Sequence, residues 1–218
     1  MGKYKLMGLS NSTLTMFQIP ITDATLMYSS VGCVLISVIL IEYFRIYTMG
    51  EPSITVFSKI QRPIQTFLRP AVWVPGLRNL HSHRETWTFK EDSSHQGNLD
   101  SILNAINKVI AKDTSKFYWH VQQPAAAVGN ETTPLQDSKS FVRIFTFTRA
   151  EWLDITEITL SGNKAEVWAF SSGFLPLIIP LACFLNVPFF FFPFLDMGLN
   201  KQRMDRIIAE MDAEVQRS

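Results

Sequence analysis

The sequence predicts an α+β domain with a mostly antiparallel sheet, carried on an N-terminal transmembrane helix. Three observations predict it: one uncharged apolar run long enough to cross a bilayer, a series of short β-branched and aromatic segments from residue 84 onward, and amphipathic helical periodicity among and after them. The 218 residues suit one ordinary domain plus added segments. Charged residues are 18% against 47% apolar, which excludes disorder of the whole chain, and 20 Lys+Arg balance 19 Asp+Glu, which leaves no global electrostatic case for nucleic acid. Cys33 and Cys183 are too few for a disulfide scaffold and form no C-x-x-C pair.

Residues 1–23 form a tail. Residues 24–41 (ATLMYSSVGCVLISVILI) hold no charge. Continued through Phe44 as a helix, they reach about 30 Å, the thickness of a bilayer's hydrocarbon core, so residues 24–44 are expected to span a membrane. A cleaved signal peptide is the competing reading, but the run exceeds a typical h-region and no A-x-A site precedes the next charges. Residues 45–80 set Arg45, Lys59, Arg62, Arg69 and Arg78 against Glu51, interleaved with Pro63, Pro70 and Pro75 and with Ile64, Phe67 and Trp73. Such a segment reads as a membrane-proximal collar whose cations lie on anionic headgroups at about 1 kcal/mol each, or as a basic linker. The same basic flank places the C-terminal side of the span in the cytoplasm by the positive-inside rule.

Residues 81–218 form the folded domain. Residues 84–90 (RETWTFK) alternate like a strand, with Trp87 and Phe89 on one side. Residues 98–112 space Leu99, Ile102, Leu103, Ile106, Val109 and Ile110 as one face of a helix. Residues 116–122, 140–149, 153–160 and 164–171 read as strands, the last two joined by a turn at Ser161-Gly162-Asn163. Residues 124–139 are a polar loop without periodicity. Residues 199–216 are expected to be a helix with Leu199, Met204, Ile207, Ile208, Met211 and Val215 on its apolar side.

Before that last helix, residues 173–195 (GFLPLIIPLACFLNVPFFFFPFL) are long enough to span but carry Pro176, Pro180, Pro188 and Pro193. An interior proline costs a straight helix about 3 kcal/mol, so a bent membrane hairpin fits better, turning at Asn186 and returning the chain to the side it left. Phe174, Phe184, Phe189, Phe190, Phe191, Phe192 and Phe194 would form its membrane wedge; a buried hairpin in a soluble core is the alternative. The expected order is β-α-β-β-β-β-α, with the hairpin before the last helix and the helices gathered on one face.

The tail Asp196-Met197-Gly198-Leu199-Asn200-Lys201-Gln202-Arg203 resembles the D-x-G-x-N-x-x-R signature of the domain of unknown function 1499 family. Asp154-Ile155-Thr156-Glu157 and Ser171-Ser172-Gly173 are similar to that family's acidic strand and its S-R-S-x-x-G segment, from which this chain departs by lacking the Arg and by inserting residues 173–195. The resemblance implies the fold from residue 84 onward and a structural motif of Asp196, Gly198, Asn200 and Arg203. It transfers no activity.

Chemistry-bearing residues are sparse. His81 and His83 would share a face on one strand, but with His95 and His120 the only other histidines a metal site needs at least one more ligand placed by the fold; all four read as solvated loop histidines, so no metal and no cofactor is expected. Asp154 and Glu157, three apart on a strand, fall on opposite faces and cannot cooperate as acid and base. No nucleophile-elbow, zincin, P-loop or dinucleotide motif occurs, so no catalytic residue is assigned. Asp196 or Asn200 is expected to cap the last helix, with Arg203 paired to Asp154 or Glu157; alternatively Arg203 and Asn200, with Arg62, Arg69 and Arg78 of the collar, hold an anionic headgroup. The expected function is that of a non-enzymatic integral membrane accessory or scaffold subunit of a larger assembly that handles lipid, with membrane lipid and other membrane subunits as partners. Its place is the endoplasmic reticulum rather than mitochondria. A lipid-binding module and a membrane-bound enzyme are the alternatives.

Overall fold

The computed structural model describes residues 23–49, 53–90, 94–115, 117–122 and 139–218. Residues 1–22 of the tail, all but the end of the polar loop, and the sequons at Asn11 and Asn130 lie outside the described residues. The chain divides into two units, Met1–Val38 and Ile39–Ser218.

Helix α1 (Asp23–Met49) contains one stretch, Thr25–Arg45, long and apolar enough to cross a membrane. Several of its polar groups are satisfied within the helix. The Ser29 and Ser30 hydroxyls donate to the Leu26 and Met27 carbonyls at 2.9 and 2.8 Å, and Glu42 pairs with Arg45 at 2.8 Å.

The second unit is an α+β domain on a six-stranded antiparallel sheet. Its elements are α2 (Val56–Leu68), α3 (Pro75–Arg78), β1 (Ser82–Phe89), α4 (His95–Lys112), β2 (Tyr118–Gln122), β3 (Lys139–Phe147), β4 (Leu153–Ser161), β5 (Lys164–Ser171), α5 (Ala182–Leu185), α6 (Leu199–Ala209) and β6 (Val215–Arg217). The sheet order is β2-β3-β4-β5-β1-β6. Helix α4 carries the chain from β1 to the far edge, and the β2–β5 meander returns beside β1. The β4–β5 turn holds Gly162 at φ 58°, the left-handed conformation that glycine takes without steric cost.

Strand alternation gives the sheet two different faces. Trp87, Phe89, Val142, Ile144, Ile158, Leu160, Ala165 and Val167 meet Ile102, Ala105, Ile106 and Val109 of α4 and Met204 and Ile207 of α6 in one core. On the opposite face Phe145, Phe147, Leu153, Ile155 and Phe170 pack with Ile54, Leu177 and Ala182. Helices therefore stand on both faces rather than one, because the segment before β1 and the Pro-rich insertion share the second face.

One further expectation, the length of the last helix, is corrected, and two segments gain local detail. The collar holds a 13-residue helix, α2, capped by Thr55, whose side chain accepts from the Ser58 amide, and closed by Arg69 in the left-handed conformation just before Pro70. The last helix stops at Ala209; Val215–Arg217 instead add an edge strand to β1, with Trp87 opposite Arg217 and Phe89 opposite Val215. Residues 173–195 run as consecutive tight turns with α5 and a 3-10 turn, Val187–Phe189, since each proline removes a donor and bends the path.

Candidate membrane-facing site

Helix α2 is inside-out. Its buried residues are Ser58, Gln61, Gln65 and Thr66, whereas Val56, Ile60 and Phe67 are 46%, 63% and 86% exposed. A helix on a water-soluble domain buries its apolar stripe. Here the buried stripe is polar because it has a hydrogen-bonding task. Gln61 Nε2 donates to the Leu177 and Ile179 carbonyls, both at 2.9 Å, and its Oε1 accepts from the Cys183 amide at 3.1 Å. Gln65 Nε2 donates to the Ser172 carbonyl at 2.7 Å. Asn186 completes the set: its Oδ1 accepts from the Leu175 amide at 2.6 Å and its Nδ2 donates to the Leu175 carbonyl at 3.2 Å. These amides satisfy the irregular backbone of residues 172–186, which has no regular ladder of its own. Gly173 is required there, because a Cβ would collide with the Gln65 and Asn186 side-chain amides.

At the helix start the buried Glu151 accepts from the Thr55 amide at 3.0 Å, from the Thr55 hydroxyl at 2.7 Å and from the Ser58 hydroxyl. Glu151 itself holds a left-handed φ of 63°. The carboxylate thus ties α2 to the β3–β4 turn.

The insertion held by α2 exposes apolar side chains of its own. Leu177, Ala182 and Cys183 are buried, while Leu181, Phe184, Phe191 and Phe192 are exposed, as are Phe189 and Phe190 to a lesser degree. Trp73 joins the two parts through a ring contact with Phe190 at 5.6 Å. Two of the wedge residues turn inward instead: Phe194 stacks on the buried His81 at 4.4 Å, and Phe174 packs against Phe189, Phe192 and Phe194.

The C-terminal motif forms a separate polar node on the α4–α6 face. Asp196 accepts from the Gly198 and Asn200 amides at 2.9 and 3.1 Å, ordering the start of α6. Asn200 donates to the His81 carbonyl at 3.0 Å, and Arg203 reaches Asp154 at 2.7 Å, with both charged side chains buried. Burial holds the His81 imidazole below its ordinary pKa, and its Nε2 faces the Ala71 carbonyl at 2.7 Å.

The collar arginines do not all come together. Arg78 lies in α3 and does not line the cleft that Arg62 and Arg69 share with Pro63, Thr66, Phe67, His120, Gln122, Arg143 and Phe145, a cleft of about 610 Å³. Arg69 meets Glu157 bidentately, at 3.0 and 2.6 Å, and Arg143 meets the same carboxylate at 2.8 Å. Arg62 has no acidic partner among the described residues; its guanidinium lies 5.0 Å over the Phe145 ring. His120 is held below its ordinary pKa by burial and then by Arg62. Residue order alone did not reveal this cleft, which exists only because α2 lies beside the β2–β3 edge. Among the described residues no group of three His, Cys, Asp or Glu side chains is arranged to hold a metal ion.

No protein-family model, curated protein or solved structure matches the chain.

Proposed function

We propose that this chain is a non-enzymatic accessory or scaffold subunit of a lipid-handling membrane assembly, whose α+β domain docks on the bilayer that α1 enters. The observation that carries this reading is the inverted polarity of α2: the helix spends its polar side on the insertion and leaves Val56, Ile60 and Phe67 exposed, while the insertion it holds exposes Phe184, Phe191 and Phe192. Exposing such a surface to water costs roughly 25 cal/mol per Å2, a cost that membrane contact removes. Two further features support a scaffold over the rival readings. The space between sheet and helices is filled by side chains such as Trp87, Ile102 and Met204, with at most 1% exposed, which leaves no room there for an acyl chain. The carboxylates Glu151, Asp154 and Glu157 are each held by donors or cations in structural roles. The likeness of Asp196–Arg203 to the domain of unknown function 1499 signature belongs to this proposal, as do a cytoplasmic domain and residence in the endoplasmic reticulum.

A photoreactive phenylalanine placed at Phe67, Phe184 or Phe191 tests the reading in native membranes. Adducts with lipid are expected from all three positions. Adducts with protein alone would make the face a subunit interface instead, and absence of both would return it to water. Affinity purification in mild detergent should also bring stoichiometric membrane partners; a chain that elutes alone defeats the scaffold role.

A further inference from the structure

The cleft between α2 and the β2–β3 edge has three properties that call for a ligand. Its charge is unbalanced: Arg69 and Arg143 share the single carboxylate of Glu157, and Arg62 has no acid among the described residues. The hydrogen-bonding capacity of Arg69 is spent, because its Nε also donates to the Thr66 carbonyl at 2.6 Å. The Arg62 guanidinium instead lies 5.0 Å over the Phe145 ring and makes no ion pair among the described residues, which leaves its N–H groups available for a planar, bidentate partner. Its wall holds an orphan as well, since Thr66 is only 8% exposed and its hydroxyl has no hydrogen-bond partner. Its rim is apolar, formed by the exposed Pro63 and by Phe67 at 86% exposure, the residue that also ends the outward face of α2.

We infer that this cleft is a headgroup site for a phospholipid of net negative charge, with Arg62 as the fork on its phosphate and Phe67 and Pro63 beneath its acyl chains. The inference rests on the bilayer-docked reading above and adds lipid selectivity to it. A phosphodiester oxygen pair matches the guanidinium fork, Thr66 and Gln122 supply hydroxyl and amide groups for a glycerol-like headgroup, and the surplus cationic charge disfavours a choline. A free phosphate would satisfy the polar wall equally but would leave the apolar rim uncovered.

The test uses the full chain reconstituted in mixed vesicles of phosphatidylcholine and phosphatidylglycerol, re-extracted in mild detergent, with retained lipid identified by native mass spectrometry. Phosphatidylglycerol should be retained selectively; Arg62→Gln should reduce that selectivity about tenfold, and Arg62→Lys should restore part of it, as a point charge without a fork would. Excess inorganic phosphate should not displace the lipid; displacement would make the site one for a soluble anion and overturn the lipid assignment. A second measurement needs no variant. The ring resonances of His120 should titrate at higher pH with phosphatidylglycerol present than with phosphatidylcholine alone, because an anion offsets the neighbouring Arg62. Equal retention of the two lipids, or a His120 midpoint that does not move, would overturn the inference. If lipid adducts still form at Phe67 and Phe191 in that case, the docked reading survives; if those adducts are missing too, both fail.

Discussion

Arg203 of α6 and Asp154 of β4 meet at 2.7 Å with side chains only 4% and 7% exposed. Asp154 also accepts the Ser171 hydroxyl, and Arg203 Nη1 donates to Asn200 Oδ1 at 3.2 Å. The guanidinium lies 5.6 Å over the Phe117 ring, and its Nε and Nη2 have no hydrogen-bond partner. With all this burial, Arg203 is a clasp between helix and sheet, not a side chain that reaches a headgroup.

Removing one member of this pair strands the other charge out of water. Arg203→Ala should lower the unfolding free energy by about 3–5 kcal/mol in a denaturant titration, while the double change Arg203→Met with Asp154→Leu should recover most of the loss. Lipid retention by the surviving folded fraction should not change. A cost near zero for the single variant would show that the clasp does not hold α6.

Gln61 makes three hydrogen bonds to the insertion backbone, so Gln61→Leu leaves two carbonyls and one amide unmet. Each buried orphan costs about 1–3 kcal/mol, and the loss is local. Hydrogen exchange should accelerate across residues 177–186 while β3, β4 and β5 stay protected. Uniform acceleration throughout the sheet would mean that the insertion and the sheet open as one unit.

Acid should weaken the fold through His81. Burial lowers its pKa in the folded state below the ordinary 6.5, so the neutral ring contributes stability that is complete above that value and is lost as pH falls below it. The melting temperature should drop between neutral pH and about pH 5. His81→Gln, which keeps a donor for the Ala71 carbonyl, should flatten that drop. His120 shifts in the same direction, so the difference between wild type and variant isolates His81. An identical pH profile for the two proteins would exclude it.

Orientation has a chemical readout in the two sequons, Asn11-Ser12-Thr13 and Asn130-Glu131-Thr132, which flank α1 in the chain. With the basic flank of α1 cytoplasmic, Asn130 should remain unmodified in microsomes. A glycosidase-sensitive mass shift abolished by Asn130→Gln would reverse the topology.

The sheet was readable where its signal was local. The alternation in Lys164–Ser171 is the alternation of β5, and the periodicity from Leu99 to Ile110 is the α4 stripe, extended at its start to the Ser94 cap. Three-residue β6 carries no pattern of its own; it exists because the edge of β1 offers a ladder, and α6 ends where Asp212 and Glu214 reach Lys108 and Lys90 rather than continue a helix. Helix α2 shows a different limit. The spacing of Val56, Ile60, Ile64 and Phe67 states which residues share a face, but periodicity cannot say which face points inward, and the answer here came from Gln61 and Gln65 meeting an insertion more than a hundred residues away. The arginine cleft was out of reach for the same reason: Arg62, His120 and Arg143 come together only in the folded sheet.

The inverted polarity of α2 also constrains biosynthesis. A domain that finished folding in the cytosol would display Phe67, Phe184 and Phe191 to every other newly made copy and would self-associate through them. Because α1 precedes the whole domain in the chain, it leaves the ribosome first and can deliver the nascent polypeptide to a membrane before Gln61 has an insertion to bind. On the proposed bilayer-docked reading, synthesis order does the work of a chaperone, and a circularly permuted chain with α1 placed last should aggregate with every contact of the native domain still encoded.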